Sequence, residues 1–354
     1  MARTTPPSAA STKRSSRWAS ISIFRRSPKT EYPKGQYLAD FLTNRAVDFI
    51  QRHKDERFFL YLPHFGVHSP LQAKPELIAK FKAKPAVGGH NNPTYAAMIA
   101  SVDESVGRVM ATLEQLKLAE NTVLIFTSDN GGVGGLRREG IEGNTTTDNS
   151  PLRAGKGTLY EGGTRVAFVV RWPGKIAAGS ACDVPTIHVD IYPTLTAVAG
   201  GKLPEKQIFD GESLVPLWRA ATGATGATAT PKLAREAIYQ HFPGYLGSGG
   251  DTFRTLPVSL IHAGDWKLME FLEDGRLELY NLREDIGESK NLAAAQPERA
   301  KELHAKLVAW RAAVKAPMPT PNPDRNRADQ SAPSAAEKKK GKGKKKAAPE
   351  PAAK

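Results

Sequence analysis

Cysteine is almost missing from this sequence: Cys182 is the one thiol in 354 residues. A single thiol excludes an intrachain disulfide and leaves the redox compartment unassigned. Long apolar runs are missing too. No stretch approaches membrane-spanning length, so no membrane span is expected. Residues 1–34 are rich in Ser, Thr, Pro and Arg and hold nothing like the apolar core of a signal peptide. Acidic residues are scarce, 36 Asp and Glu against 50 Lys and Arg, for a formal net charge of +14. That excess belongs to two tails. Residues 1–34 hold eight Lys/Arg and one Glu, and residues 324–354 hold ten Lys/Arg and four Asp/Glu, which leaves about +1 for the chain between them. A specific nucleic-acid partner is therefore not expected. The run Lys338–Lys346 can touch polyanions non-specifically, although a solvated tail explains it as well.

What is present suits a folded body. At 40% hydrophobic and 24% charged, the chain can build one large core, or a large domain and a small one. Leu38, Phe41, Leu42, Ala46, Phe49 and Ile50 recur at helical spacing, so folded sequence is expected to begin near Tyr37. Phe58–Leu62, Val123–Thr127 and Val166–Val170 read as buried strands. A second helix is predicted from about Thr94 to Lys117, with Met98, Ile99, Val102, Val106, Val109, Met110, Leu113 and Leu116 as its apolar positions. Ile187–Val198 reads as helical, with Pro193 marking its start or a kink. Apolar strands alternating with amphipathic helices predict an α/β domain with a largely parallel sheet, whose ligands gather at strand carboxyl ends. After an Ala/Thr/Gly-rich loop at 219–232 the texture changes. Ala237–Gln240, Ser259–His262, Trp266–Phe271 and Leu277–Tyr280 predict a small antiparallel sheet, with Gly264-Asp265 and Asp274-Gly275 as turns. Residues 298–314 predict a last helix, and the Pro/Ala/Lys-rich chain from about Pro317 predicts disorder.

Three segments carry chemistry. Ser128-Asp129-Asn130-Gly131-Gly132 closes an apolar strand with a carboxylate beside an amide carbonyl, hard oxygens for calcium or magnesium. The same letters are also ordinary turn chemistry. In Gly155-Lys156-Gly157, glycines flank a lysine free to approach an anion, or simply a solvated one; the spacing is not that of a Walker loop. His64 and His68 follow the Phe58–Leu62 strand, where a histidine can protonate a leaving oxygen or serve as a hydrogen-bonded loop residue.

The ordered set His68-Ser-Pro-Leu71, Ser128-Asp-Asn-Gly-Gly132 and Gly155-Lys-Gly-Thr-Leu-Tyr-Glu-Gly-Gly-Thr-Arg165 resembles the sulfatase family, within the alkaline-phosphatase-like superfamily. Tyr95–Gly107, Arg171-Trp-Pro-Gly174, His188-Val-Asp190, Asp210-Gly211, Gly264-Asp-Trp-Lys-Leu268 and Glu278-Leu-Tyr-Asn-Leu282 also fit, so the resemblance covers roughly residues 37–310. It implies an alkaline-phosphatase-like α/β fold and hydrolysis of sulfate esters on a sulfated small molecule or glycan. It implies that Asp129 and Asn130 bind calcium, that Lys156 contacts a sulfate oxygen and that His68 helps the leaving alcohol depart. His64 is a weaker candidate, and His241 and Tyr245 are expected to line a substrate subsite. Glu161 and Arg165 are expected to be structural, as an ion pair or loop anchors. The family's nucleophile is a formylglycine made within Cys/Ser-x-Pro-x-Arg, and no such motif occurs here; Cys182, in Ala-Cys-Asp-Val-Pro, is expected to be a buried or half-buried structural thiol.

The family's two N-terminal metal aspartates and its Gly-Lys-Trp-His segment have no counterpart either. The sequence therefore reads as N-terminally truncated, with a misplaced or shifted start, uncovered apolar faces and unpaired edges. This chain alone is expected to show little or no activity and to bind calcium weakly. The expected organisation is a leader at 1–34, a partial α/β domain at 35–218, a small α+β subdomain at 219–316 and a tail at 317–354. Two rivals stand beside the sulfatase reading. One is a non-catalytic binder of sulfated glycans. The other is a related phosphatase or phosphodiesterase, disfavoured because a two-zinc site wants more His and Asp ligands.

Overall fold

The computed structural model describes residues 32–134, 146–220, 232–249 and 252–321, with the backbone of a strand at 19–21. The basic tails, apart from that strand and residues 32–34, lie outside the described residues, as does most of the 219–232 segment.

Helices α1 (Leu38–Arg52) and α3 (Pro93–Gln115) pack side by side, with α2 (Pro75–Lys82) against α3. The start of α3 is fixed by Asn92, whose side chain accepts from Tyr95 N–H at 3.0 Å, and by Pro93 behind it. Its buried stripe differs from the expected one. Ala97, Met98, Ser101, Ser105, Val109, Thr112 and Leu113 are buried, while Ile99 is exposed. Hydroxyls tolerate burial here because Ser101 and Thr112 donate to the carbonyls of Ala97 and Arg108, one turn back. Ala46, Phe49 and Ile50 of α1 meet Val109 and Leu113 of α3, and Phe58, Leu60, Leu62 and Leu124 pack onto that cluster.

Strand β1 (Ala19–Ile21) pairs in parallel with β2 (Phe58–Leu60). Strands β3 (Leu124–Thr127) and β4 (Phe168–Arg171) pair antiparallel, in register Phe126 to Val169. The alternation of strands and helices had pointed to parallel pairing. The 128–167 connection explains the difference: among its described residues it holds one helical turn, α4 (Glu161–Thr164), and no crossover helix, so the chain returns antiparallel. One face of β3–β4 packs Val123, Ile125, Phe168 and Val170 against α6 (Val215–Ala220), below α5 (Ile191–Val198). On β2, β3 and β4, Phe59, Phe126 and Val169 remain exposed, as does Tyr61 just after β2.

Beyond these lie β5 (Ile238–Phe242), a hairpin of β6 (Leu246–Gly249) and β7 (Thr252–Thr255), then β8 (Val258–Ala263), β9 (Trp266–Phe271), β10 (Leu277–Asn281) and α7 (Pro297–Ala313). Strands β10-β9-β8-β5 form an antiparallel sheet in that order, as expected. The alternation of a strand explains its two cores. Ile261, Leu268 and Leu279 face Ala300, Leu303 and Leu307 of α7. The other face, Val258, Leu260, Met269, Phe271 and Tyr280, covers Ala154 and Tyr160. Gly264 and Gly275, at φ +57° and +70°, make the two predicted turns. No helix among the described residues is long and apolar enough to cross a membrane.

The packing of α7 is directly testable. Leu307 is fully buried, whereas its neighbour Val308 is 44% exposed. Leu307→Ala should cost about 2–5 kcal/mol of stability and Val308→Ala less than about 0.5 kcal/mol, read by urea denaturation.

Candidate functional site

Strand β3 delivers Ser128-Asp129-Asn130 to a surface where two glycine-rich loops interlock. Gly131 N–H donates to Gly163 O (3.0 Å), Gly162 N–H to Arg153 O (2.8 Å) and Lys156 N–H to Gly132 O (2.9 Å). Asn149 Nδ2 stitches the same loops, donating to Gly132 O and Ala154 O. The glycines are required by space: a Cβ on Gly131 would stand 1.8 Å from Gly162 O, and one on Gly155 2.3 Å from Gly132 O. The Asp129-Asn130 turn and the Lys156 loop are thereby neighbours by backbone hydrogen bonding.

Asp129 is exposed and Asn130 half-buried. Asn130 Nδ2 donates to Gly131 O at 3.0 Å, which commits its nitrogen to the backbone and leaves its carbonyl oxygen available to a ligand. His188, inside a resembling motif but given no role from sequence, donates from Nε2 to Ser128 O (2.8 Å) and holds the strand end. Among the described residues no carboxylate pairs with the Lys156 ammonium.

The histidines divide. His68 is exposed, and its Nδ1 donates to the adjacent Ser69 carbonyl at 2.8 Å, which leaves Nε2 as the uncommitted ring nitrogen. It sits on the 61–70 segment after β2, with no hydrogen bond to either glycine loop. His64 turns inward, with Nε2 3.0 Å from Ser105 Oγ, itself 2.6 Å from Thr43 Oγ1. Burial lowers the His64 pKa from its ordinary 6.5. His241 has both ring nitrogens engaged, Nδ1 with Ser259 Oγ and Nε2 with Pro317 O, each at 2.7 Å. Tyr245 donates to Glu273 (2.6 Å) and leads into β6. That hairpin leans on the lysine loop: Thr255 Oγ1 donates to Gly157 O, and a Cβ on Gly157 would meet Leu246 Cδ2 at 2.7 Å. Cys182 is exposed.

Behind the loops is a buried charge cluster that sequence reasoning missed. Lys267 Nζ lies 2.9 Å from Glu161 Oε1 and 2.9 Å from Glu288 Oε1. Glu288 Oε2 accepts from Glu161 N–H (2.7 Å), and Arg165 reaches Glu161 at 3.3 Å, the expected ion pair. Burial acts to raise the Glu161 pKa, but the Lys267 charge and hydrogen bond outweigh it and leave it lowered. For Glu288 burial wins and its pKa is raised. Arg153 lies 3.7 Å over the Tyr160 ring and donates to Tyr280 OH, while both phenols donate to Glu278. The signal was the pair Lys267 and Glu278 inside strand-like runs, where a charge at an inward position asks for a partner.

Comparison with known proteins gives consistent matches. The family model described as Sulfatase matches residues 9–201, and that described as N-sulphoglucosamine sulphohydrolase, C-terminal, matches residues 155–313. The chain is 36% identical to a sulfatase of Formosa agariphila over 306 residues, 80% of this chain and 51% of that protein. It is 32% identical to an N-acetylgalactosamine-6-O-sulfatase of Bacteroides thetaiotaomicron, over 76% of this chain and 50% of that one. The crystal structure of Ps i-CgsB, also solved with k-i-k-neocarrahexaose, superposes with TM-score 0.64 at 30% identity, covering 80% of this chain and 56% of that one. The chain thus spans about half the length of the curated relatives it matches.

Two outcomes follow from this geometry. Gly131→Ala should cost about 1–3 kcal/mol as the loops are forced apart. Gly107→Ala, exposed in α3 with nothing within 4 Å of its Cβ, should be neutral or gain up to about 1 kcal/mol; thermal melts separate them. His64 binds its proton less readily folded than unfolded, so stability rises with pH between the lowered value and 6.5. Acidification from pH 7 should therefore destabilise the protein, and His64→Gln should flatten that slope in melts recorded against pH.

Proposed function

The chain belongs to the sulfatase family, and from that premise we propose that it carries the sulfate-gripping side of a sulfate-ester hydrolase. The observation that carries this reading is the Lys156 N–H to Gly132 O hydrogen bond of 2.9 Å, which sets the lysine loop beside the Asp129-Asn130 turn. In the reaction, water cleaves R–O–SO₃⁻ to the alcohol, sulfate and a proton. The Lys156 ammonium offsets negative charge on the sulfate oxygens. His68, with Nδ1–H committed to Ser69 O, offers Nε2 to the bridging oxygen and gives the leaving alcohol its proton when that nitrogen is protonated. Tyr245, beside the lysine loop, contributes to a subsite for the sulfated small molecule or glycan. His241 and His64 are supports in this reading, because their ring nitrogens already serve Ser259, Pro317 and Ser105.

Sulfatases generally use calcium and a formylglycine. Asp129 and Asn130 fit calcium by donor type, two hard oxygens side by side. Among the described residues no group of three or more His, Cys, Asp or Glu is placed to hold a metal, so the pair supplies a share of the six to eight oxygens calcium takes. Bound there, calcium supplies positive charge to the sulfate. The formylglycine does not fit these residues: the sequence holds no Cys/Ser-x-Pro-x-Arg, and Cys182 is exposed in another context. No step is drawn through it. The same absence favours a second reading, in which this chain binds a sulfated glycan without turning it over. The division into 35–218 and 219–316 holds as a proposal, with Lys267 bridging the two parts.

Calorimetric titration of the full chain with 4-nitrophenyl sulfate, with and without calcium, tests the reading. Binding should tighten with calcium, and Lys156→Ala should weaken it roughly ten- to a hundredfold, the range for a hydrogen bond to a charged group. Release of nitrophenol should stay at the buffer rate. Robust turnover, or binding indifferent to Lys156→Ala, contradicts it.

A further inference from the structure

The four-residue turn α4 is too short to hold its own shape, yet both glycine loops are bonded to it or beside it. Gly163 accepts from Gly131 N–H, and Gly162 N–H donates to Arg153 O. What fixes α4 is its first residue. Glu161 is tied at its N–H to Glu288 Oε2 (2.7 Å) and at its carboxylate to Lys267 Nζ (2.9 Å), 106 positions away on β9. All three side chains are buried, Lys267 at 1% exposure. Without the ammonium Glu161 loses its tie to β9, whether or not the carboxylates are kept, and two buried carboxylates left facing one another would also push Glu161 away from Glu288. That displacement would pass to Gly162-Gly163, and through one backbone hydrogen bond to the Asp129-Asn130 turn.

We propose that Lys267 is a positioning residue for the sulfate grip: from the C-terminal sheet it fixes the spacing between the Asp129-Asn130 turn and the Lys156 loop. The inference rests on the reading of those residues as calcium and sulfate groups, and it assigns the C-terminal sheet a part in that site beyond packing. Arg311 supplies the comparison. It is also buried, but it pairs with Glu270 (2.6 Å) and Ser259 (3.1 Å) on the α7 side of the sheet, away from the loops.

The test compares the full chain with Lys267→Met, the triple variant K267M/E161Q/E288Q and Arg311→Met. The triple variant removes the buried charges together and so avoids stranding one, which keeps the measurement meaningful if Lys267→Met does not fold. Amide hydrogen exchange by mass spectrometry reads residues 129–134 and 153–165, and calorimetry reads inorganic sulfate with calcium present. Lys267→Met and the triple variant should speed exchange in those two segments at least about tenfold while α1 and α3 keep their protection, and should weaken sulfate binding by a similar factor. Arg311→Met should lower the melting temperature and leave both readouts at the loops unchanged. Unchanged loop exchange in the triple variant, a uniform rise across α1, α3 and α7, or loosened loops with undiminished sulfate affinity would each overturn the proposal. Loosened loops in a protein whose wild type binds no sulfate would uphold the positioning and sink the sulfate reading instead.

Discussion

An ammonium taken out of water loses several kcal/mol of solvation, recovered only if carboxylates and hydrogen bonds close around it. Lys267 meets that condition with two carboxylates at 2.9 Å, and the demand runs in both directions. Glu161 and Glu288 cannot both stay ionised in the core without it, so three residues from three segments must arrive together. Burial raises the Glu288 pKa, while the Lys267 charge and hydrogen bond hold that of Glu161 below its ordinary value. Glu161 begins α4 at the root of the 153–165 loop, where Arg165 also reaches it.

From that root outwards the structure is held by backbone rather than side chains. Gly131, Gly155, Gly162 and Gly163 each lie where a Cβ would strike a carbonyl oxygen, so the loops meet main chain to main chain. Such contacts cannot creep: a carbonyl either accepts its N–H at about 3 Å or releases it. The side chains that face solvent from this lattice, Asp129 and Lys156, are therefore set by a scaffold in which they take no part. This separates chemistry from support. It also explains why a site made of loops can be held to the tolerance that charge recognition needs.

How much of this was legible in the sequence depended on whether local pattern or distant partners decided it. Helix α1, the strands at Phe58 and Leu124, and the C-terminal sheet followed from apolar spacing, because each buries a face against a neighbour close in sequence. The pairing of β3 with β4 did not, since direction is set by the 128–167 connection and not by either strand. The stripe of α3 was misread at Ile99, because Ser101, Ser105 and Thr112 are buried through hydroxyl hydrogen bonds that no hydropathy pattern shows. Asp129, Asn130 and Lys156 stand out by motif, whereas the glycines around them, read as freedom for the lysine to approach an anion, let the two loops meet main chain to main chain. The Lys267 cluster joins positions more than a hundred residues apart, and only the buried placement of a charged strand residue hinted at it.

His68 shows where the built part of the site ends. Lys156 and Asp129 share a frame of main-chain hydrogen bonds, whereas His68 is anchored to its own neighbour, Ser69, on the segment after β2. The link between them is indirect: β2 and β3 both rest on the α1–α3 cluster through Phe58, Leu60 and Leu124. Of the two strands, β2 turns Phe59 to solvent, whereas β3 is held on both faces, by Leu124 on the helices and by Ile125 against α6. The histidine is thus the member of the proposed site joined to the rest only through the helix cluster, while the lysine loop and the Asp129-Asn130 turn share main-chain hydrogen bonds.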